Sequence, residues 1–394
     1  MIIGNSIRIA RKGQLSKRGL IYMKLSSSKS KQVLEVDVDA VAALIAGAQK
    51  ENGEIPWADG DKTDPWDHIE AAMGLTTGGY FSEARRAFLW LKENQLEDGS
   101  WYAAYRNGEP YDMTHDSNMS SYIAVGLFHY FLITGDMVFL KQMWETINAG
   151  IEFALSLQAS EGEIHWAKSP EGIADPMALL TGSSSVYMSL KCALAISGLL
   201  GFKKPAWKEA LYKLGNVIRY KPHLFNIAKF RFSMDWFYPV LSGALTGDQA
   251  QRRINKYWKK FIVKDQGVLC VSDQPWITMA ETSELCLTLS AMGNHELAAI
   301  VFSWIQNRTF EDGTYWCGYT YPDIVIWPEE KITWTNAVVL MAADALYELT
   351  PAAKLFNHRF WESSDFSKYV KLDETEKPVF KQPGHMQTEN AHRT

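Results

Sequence analysis

The amino-acid sequence predicts an all-α fold, six helical hairpins closed into an (α/α)6 toroid. Three observations carry the prediction. Amphipathic and uniformly apolar helical segments alternate strictly, short and long connections alternate with them, and the long connections repeat one another. A helix apolar all round must be buried, whereas an amphipathic one lies on a surface. The alternation therefore predicts an inner ring of six helices wrapped by an outer ring of six.

The elements follow in order. An amphipathic segment over 38–50 leads through a long loop to an apolar one over 66–75, and the turn at 76–80 returns the chain to the outside at 81–95. Inner segment 117–131 and outer segment 138–158 meet at Thr134-Gly135-Asp136. Inner 183–200 turns at 201–205 into outer 207–219, and inner 234–245 turns at Thr246-Gly247-Asp248 into outer 249–263. Inner 281–292 turns at Gly293-Asn294-His295 into outer 296–307, and inner 335–349 completes the ring. Short Gly- or Pro-bearing turns join antiparallel neighbours at one rim, while long loops are commonly functional. All the long loops then open at the same mouth. They also share a pattern, a helix-ending Gln followed by Gly and then Trp, beginning at Gln49, Gln95, Gln158 and Gln306. Repeats at this spacing mark stacked supersecondary units.

Domain organisation follows from the same pattern. Residues 1–32 carry eight Lys or Arg and no acid and read as a basic arm without fixed structure or an organellar presequence, although a translation start at Met23 accounts for them too. The toroid spans 33–359, and a polar tail covers 360–394. The net charge of −5 gives no basic face for nucleic acid, and no apolar run reaches the ~20 residues that span a bilayer. Four widely spaced cysteines without C-x-x-C pairs and no secretory signal point to a cytoplasmic protein with reduced thiols. Neither metal nor cofactor is implied, since there is no H-E-x-x-H, no Cys/His cluster, no Gly-x-Ser-x-Gly elbow and no phosphate-binding loop. The expected partner is a small molecule, a sugar or an isoprenoid.

Tryptophan is the compositional outlier, with 15 residues, many of them in the long loops or at the first turns of inner helices. Trp66, Trp101, Trp166, Trp236, Trp327 and Trp334 are candidates for a stacking surface, because aromatic faces suit sugar rings, isoprenoid chains and cationic intermediates. Polar residues collect at the same places: Asp67, Asp116 with Asn118, Asp235, Glu281, and Glu329. Each acid also reads as a helix cap or first-turn carboxylate. Capping alone explains poorly why acids recur beside tryptophan around one opening. Facing carboxylates roughly 5 to 9.5 Å apart can cleave a glycosidic bond, and Asp116, Glu281, Asp312 and Glu329 are placed to meet across the mouth.

Two resemblances sharpen this. The run from Arg86 through Gln95-Leu-Glu-Asp-Gly99-Ser-Trp101 resembles the QW motif of squalene and oxidosqualene cyclases, within the terpenoid cyclase and protein prenyltransferase toroids. That motif is structural. The Asp-x-Asp-Asp acid motif of the protonating cyclases and the Asp/Cys/His zinc set of the prenyltransferases are missing here. The stretch from Tyr130-Phe-Leu-Ile-Thr-Gly-Asp136 through Gln158 to Trp166, the helix after it, and the segment from Glu281 to Leu346 are similar to six-hairpin glycosidases of the glucoamylase type. That family carries its acid directly after a tryptophan, where this chain has Trp166-Ala167, so Glu163 becomes the candidate acid. The resemblance places the base in the last long loop, where Glu311, Asp312 and Asp323 stand, with Asp312 as the candidate.

The leading reading is therefore a carbohydrate-active enzyme working through paired carboxylates in a Trp-lined pocket. Asp312, Glu163, Glu281 and Asp116 are its expected catalytic residues. The second reading is a terpenoid cyclase- or prenyltransferase-like enzyme, and the third a non-catalytic sugar- or lipid-binding toroid. Converging carboxylates favour the sugar, a deep apolar tunnel the isoprenoid.

Overall fold

A computed structural model describes residues 20–27 and 30–362, with side chains over 36–362. Most of the basic arm expected over 1–32, and the tail beyond 362, lie outside the described residues. The chain enters as an antiparallel hairpin of β1 (Leu20–Ser27) and β2 (Ser30–Asp37). Asp37 then caps the first helix, its Oδ1 accepting Ala40 N–H at 2.9 Å.

The expected toroid is present. Its outer ring comprises α1 (Val38–Ala48), α3 (Phe81–Glu93), α6 and α7 (Met137–Gln142, Trp144–Ser156), α9 (Pro205–Tyr220), α11 (Gly247–Phe261) and α13 (His295–Ser303). The inner ring comprises α2 (Pro65–Thr77), α4 and α5 (Ser117–Ser121, Ile123–Thr134), α8 (Leu180–Leu199), α10 (Ser233–Leu241), α12 (Met279–Ala291) and α14 (Thr333–Tyr347). Every residue of α12 is buried, as its lack of a polar face requires. The inner helices neighbour one another in chain order, and α14 returns to lie against α2. At that seam the helices are so close that a Cβ on Gly74 would sit 2.6 Å from the Cβ of Ala337. No described helix is long and apolar enough to cross a membrane.

The repeated turns are clamps between outer helices. Gln49, Gln95 and Gln158 each donate from Nε2 twice, once to the glycine carbonyl four residues on and once to a carbonyl of the next outer helix, Glu83, Thr146 or Ala210, at 2.9–3.0 Å. Gly53, Gly99 and Gly162 all have positive φ and press on that same helix. The fourth copy corrects the sequence register. Its turn bonds, Phe310 N–H to Thr314 O and Gly313 N–H to Phe310 O, match those of Leu96 to Ser100, so Thr309 and not Gln306 occupies the glutamine position. By the same register Trp101 corresponds to Ile55, Ile164 and Tyr315.

The long loops carry strands that the sequence pattern did not announce. One sheet, ordered β3-β4-β5-β6, contains β3 (Tyr102–Arg106), β4 (Glu109–Asp116), β5 (His165–Lys168) and β6 (Ala174–Ala178). The other, ordered β11-β10-β9-β8-β7, contains β7 (Ile262–Val263), β8 (Gly267–Leu269), β9 (Trp276–Thr278), β10 (Gly318–Thr320) and β11 (Val325–Ile326). The first sheet feeds α4 and α8, the second α12 and α14. In a six-membered ring those pairs are diametrically opposed, so the two sheets face each other across the mouth, with α2 and α10 below the gaps between them. At the other end α15 (His358–Glu362) closes the ring: His358 Nε2 meets Val240 O at 2.7 Å and Trp361 packs on Phe128.

Two glycines separate clamp from conformation. Gly99 and Gly108 both have positive φ (89° and 82°), but only at Gly99 would a Cβ strike backbone, 2.3 Å from Ala149 O. Gly108→Ala should cost about 1 kcal/mol for the left-handed backbone, and Gly99→Ala at least ~3 kcal/mol. Urea denaturation of the two variants measures the difference, and equal losses would remove the clamp's role.

Candidate active site

The inner helices begin at the mouth, and their first turns carry the carboxylates. Asp64 caps α2: Oδ1 accepts Asp67 N–H at 2.9 Å and Oδ2 accepts Trp57 Nε1–H at 2.8 Å. With Asp64 committed and Pro65 fixing the first turn, Asp67 stands half-buried at the opening beside half-buried Trp66. Asp116 caps α4, its Oδ1 accepting Asn118 N–H at 2.7 Å and Met119 N–H at 3.0 Å. Strand β9 runs straight into α12, which places Glu281 in the first turn.

A second tier of acids lies one helical turn deeper. Glu70 follows Asp67 and Glu284 follows Glu281, each three residues on and on the same helix face. Both are buried. Trp66 Nε1–H and Tyr122 O–H donate to Glu70 Oε1 at 2.8 and 3.2 Å, and Tyr238 O–H donates to Glu284. The Trp66 ring leans on Tyr122 and Tyr238, centroids 5.3 and 5.7 Å away, and so forms an aromatic floor between the tiers.

Burial and mutual repulsion keep protons on this cluster. Burial pushes Asp67 well above the usual carboxylate range, and the charges of Asp64 and Glu70 add to the shift. Glu70 rises to about 7 by burial, against the hydrogen bonds of Trp66 and Tyr122. Glu284 is raised well above its ordinary value by burial and then by Glu70 and Glu281. Asp116 reaches about 6, again by burial, opposed by the two backbone N–H groups it caps. Carboxyls this close in a low dielectric cannot all ionise. The Oε2 atoms of Glu281 and Glu284 are buried with no hydrogen-bond partner in the protein.

Tryptophans wall one side. Trp57 and Trp334 lie 6.2 Å apart around Cys317, and Trp276 meets Trp327 edge-on at 5.1 Å while its Nε1–H donates to Trp327 O at 2.9 Å. The Cys317 thiol is raised by burial and then by the charges of Glu281 and Asp67, among others.

The expected residues separate into two sets. Asp67, Asp116, Glu281, Trp66 and Trp334 meet at the mouth, with Asn118 buried beside Asp116 and Trp327 and Glu329 exposed on the rim. Trp166 is half-buried on β5, where its carbonyl accepts Ser117 O–H at 3.0 Å. The others stand elsewhere. Asp312 is the turn residue of the fourth clamp, its Oδ1 accepting Thr314 N–H at 3.2 Å and Oδ2 bonded to Lys331; Asn52 and Asp98 make the same turn. Glu163 occupies the place of Ser100 in the third clamp. Trp101 is buried behind the ring, bonded to Leu91 O at 2.8 Å, and Trp236 is stacked on Phe261 between α10 and α11. Neither offers a face to a ligand. Asp235 latches α10 to α8 through Thr181. Glu70, Tyr122 and Tyr238 were not among the sequence candidates, whereas Glu284 closes the Glu281-Thr-Ser-Glu284 run at the start of its helix. The readable signal was an acid three residues after another on an otherwise apolar helix.

The chain is 45% identical over 315 residues, 80% of its length and 87% of the relative's, to a protein of Mycolicibacterium hassiacum named MMP endo-(1,4)-3-O-methyl-alpha-D-mannosidase. No family model matches it. Among solved structures, a D-mannose isomerase superposes with a TM-score of 0.62 at 10% identity, covering 79% of this chain and 95% of that one. The mannosylglycerate hydrolase of Thermus thermophilus superposes with a TM-score of 0.59 at 10% identity, covering 77% and 99%. At such identities these two establish the fold alone.

The buried acids set a pH dependence. Glu70 is protonated in both states below its ordinary 4.5. Above that the unfolded state ionises first, so the group's stability contribution is lost as pH rises to about 7. Glu70→Gln removes that loss, on the order of 3 kcal/mol. Melting curves should coincide for variant and wild type near pH 4 and favour the variant at pH 8. A constant offset at both pH values would refute the assignment.

Proposed function

The chain belongs to the family of the MMP endo-(1,4)-3-O-methyl-α-D-mannosidase, and on that premise we propose that it cuts internal α-(1,4) bonds in a chain of 3-O-methylated D-mannose, with Asp67 as the proton donor and Glu281 as the facing carboxylate. Family membership makes it a carbohydrate-active enzyme of glycoside hydrolase type. Cyclase-like chemistry loses its ground, since the mouth gathers Asp64, Asp67, Asp116 and Glu281 rather than an apolar tunnel.

The observation that carries the assignment is the placement of these two acids, each in the first turn of an inner helix at the mouth. Burial, with the charges of Asp64 and Glu70, raises the Asp67 carboxyl at an opening where Asp64, its neighbour, already has both oxygens engaged. Glu281 has a buried oxygen with no protein partner. A general acid must carry its proton at working pH, and burial beside other carboxyls is the established way to keep it there. Asp67 gives that proton to the departing glycosidic oxygen as the bond to the anomeric carbon breaks. Glu281 supplies negative charge on the opposite side, where water loses its proton to the carboxylate or the carboxylate itself attacks.

The surrounding residues bind. Trp66 offers its half-exposed ring as the floor under one sugar, and Trp276 and Trp334 the wall. Asp116 receives sugar hydroxyls. An endo cut needs substrate to extend on both sides of the acids, and two opposed sheets with gaps between them suit a strand laid across the mouth better than a closed pocket would.

The test is hydrolysis of a 3-O-methylated α-(1,4)-manno-oligosaccharide, read as new reducing ends. Asp67→Asn and Glu281→Gln should each lower kcat by 10² to 10⁴, roughly the contribution of a general acid or base, with Tm nearly unchanged. Asp312→Asn should keep its kcat. Loss in Asp312→Asn with retention in Asp67→Asn would overturn the assignment.

A further inference from the structure

The two sheets that face each other over the mouth carry apolar side chains that folding does not require. On β11 and the residues flanking it, Ile324 is 45% exposed, Val325 57% and Trp327 59%, within four residues of one another. On β4 of the opposite sheet, Tyr111 and Met113 are 59% and 45% exposed. Isolated apolar residues on a surface are ordinary, but clusters mark binding sites. Ile324 adds a second observation: its φ is +54°, a left-handed conformation that a β-branched residue adopts only at a cost of about 1–3 kcal/mol. Asparagine or glycine would fit that turn with less strain. The isoleucine at that turn is thus both strained and half exposed.

We infer that these residues form two apolar lips that recognise the O-methyl groups of the saccharide chain, and so select methylated over unmethylated mannan. The inference rests on the function proposed above. A 3-O-methyl ether replaces a hydroxyl donor by a methyl group, so a chain methylated at every sugar presents a periodic apolar edge. Water solvates that edge poorly, and Ile324, Val325 and Met113 can cover it. A chain bearing free hydroxyls gains nothing from the same contacts and loses hydration. The lip is continuous with the catalytic mouth. Trp327 O accepts Trp276 Nε1–H, Trp327 N–H donates to Gly318 O at 3.0 Å, and Trp276 stands five residues before Glu281. Sugars gripped by the lip therefore lie beside the bond being cut.

The experiment pairs Ile324→Asn with Val325→Thr in one variant, changes that suit a left-handed turn and an edge strand and should not lower Tm. Binding of matched methylated and unmethylated α-(1,4)-manno-oligosaccharides is measured by calorimetry, with hydrolysis of both followed in parallel. Wild type should prefer the methylated chain by roughly 10- to 200-fold, the range an apolar contact with a methyl group gives. The variant should bring that ratio close to one through weaker binding of the methylated chain, with the unmethylated chain little affected. An unchanged ratio, or equal losses on both chains, overturns the inference. A binding preference that follows the lip without any hydrolysis overturns only the acid–base assignment, and no binding of either chain overturns both.

Discussion

A helix with no polar face can be hidden only by neighbours on every side, and the architecture here follows from having six of them. Each inner helix is flanked by two others and backed by the outer ring. The short turns all fall at one rim, so the six inner N-termini all open at the other. Helix N-termini carry partial positive charge and free N–H groups, which suit carboxylates. Asp64 and Asp116 take that role as caps. Glu70 and Glu284, one turn further in, receive no such help and retain protons instead. The mouth thus combines capping carboxylates with buried acids one helical turn deeper, whose carboxyls burial raises.

The toroid was legible because its signal is long and redundant: twelve segments, two kinds of periodicity and two classes of connection agree. The site proposed here was legible only where an acid stands at the start of an apolar helix, as at Asp67, Asp116 and Glu281. It misled where an acid stood near tryptophan in a repeated loop. Asp312 and Glu163 sit at corresponding turns of the clamp, and the bonds of the Asp312 carboxylate to turn backbone and to Lys331 are invisible without the register. That register was itself hidden in the fourth copy, where Thr309 replaces glutamine and Gln306 stands three residues too early. Trp101 and Trp236 were misplaced for a related reason, because an aromatic near a helix start can face the mouth or the back of the ring. The strands of the second sheet are two or three residues long, too short for a period of two to register.

The clamp also accounts for the resemblance to the cyclase motif. Glutamine, glycine and a buried aromatic fasten one outer helix to the next, a task every toroid of this shape faces whatever its chemistry. A motif that serves closure of the ring therefore points to the fold and not to the reaction. Discrimination comes from the inner helix starts, where the number and burial of carboxyls change the available reaction.

The seam between α2 and α14 has a consequence for synthesis. Gly74 and Ala337, pressed together in the folded ring, are separated by about 260 residues of chain. At ~5–20 residues per second, translation of that interval takes roughly 13 to 50 s. For all of that time α2 lacks one of its two flanking helices and bares an apolar surface to solvent or to a chaperone. The first hairpin made is the last to be completed, so the N-terminal part of this ring is the part that must be shielded longest.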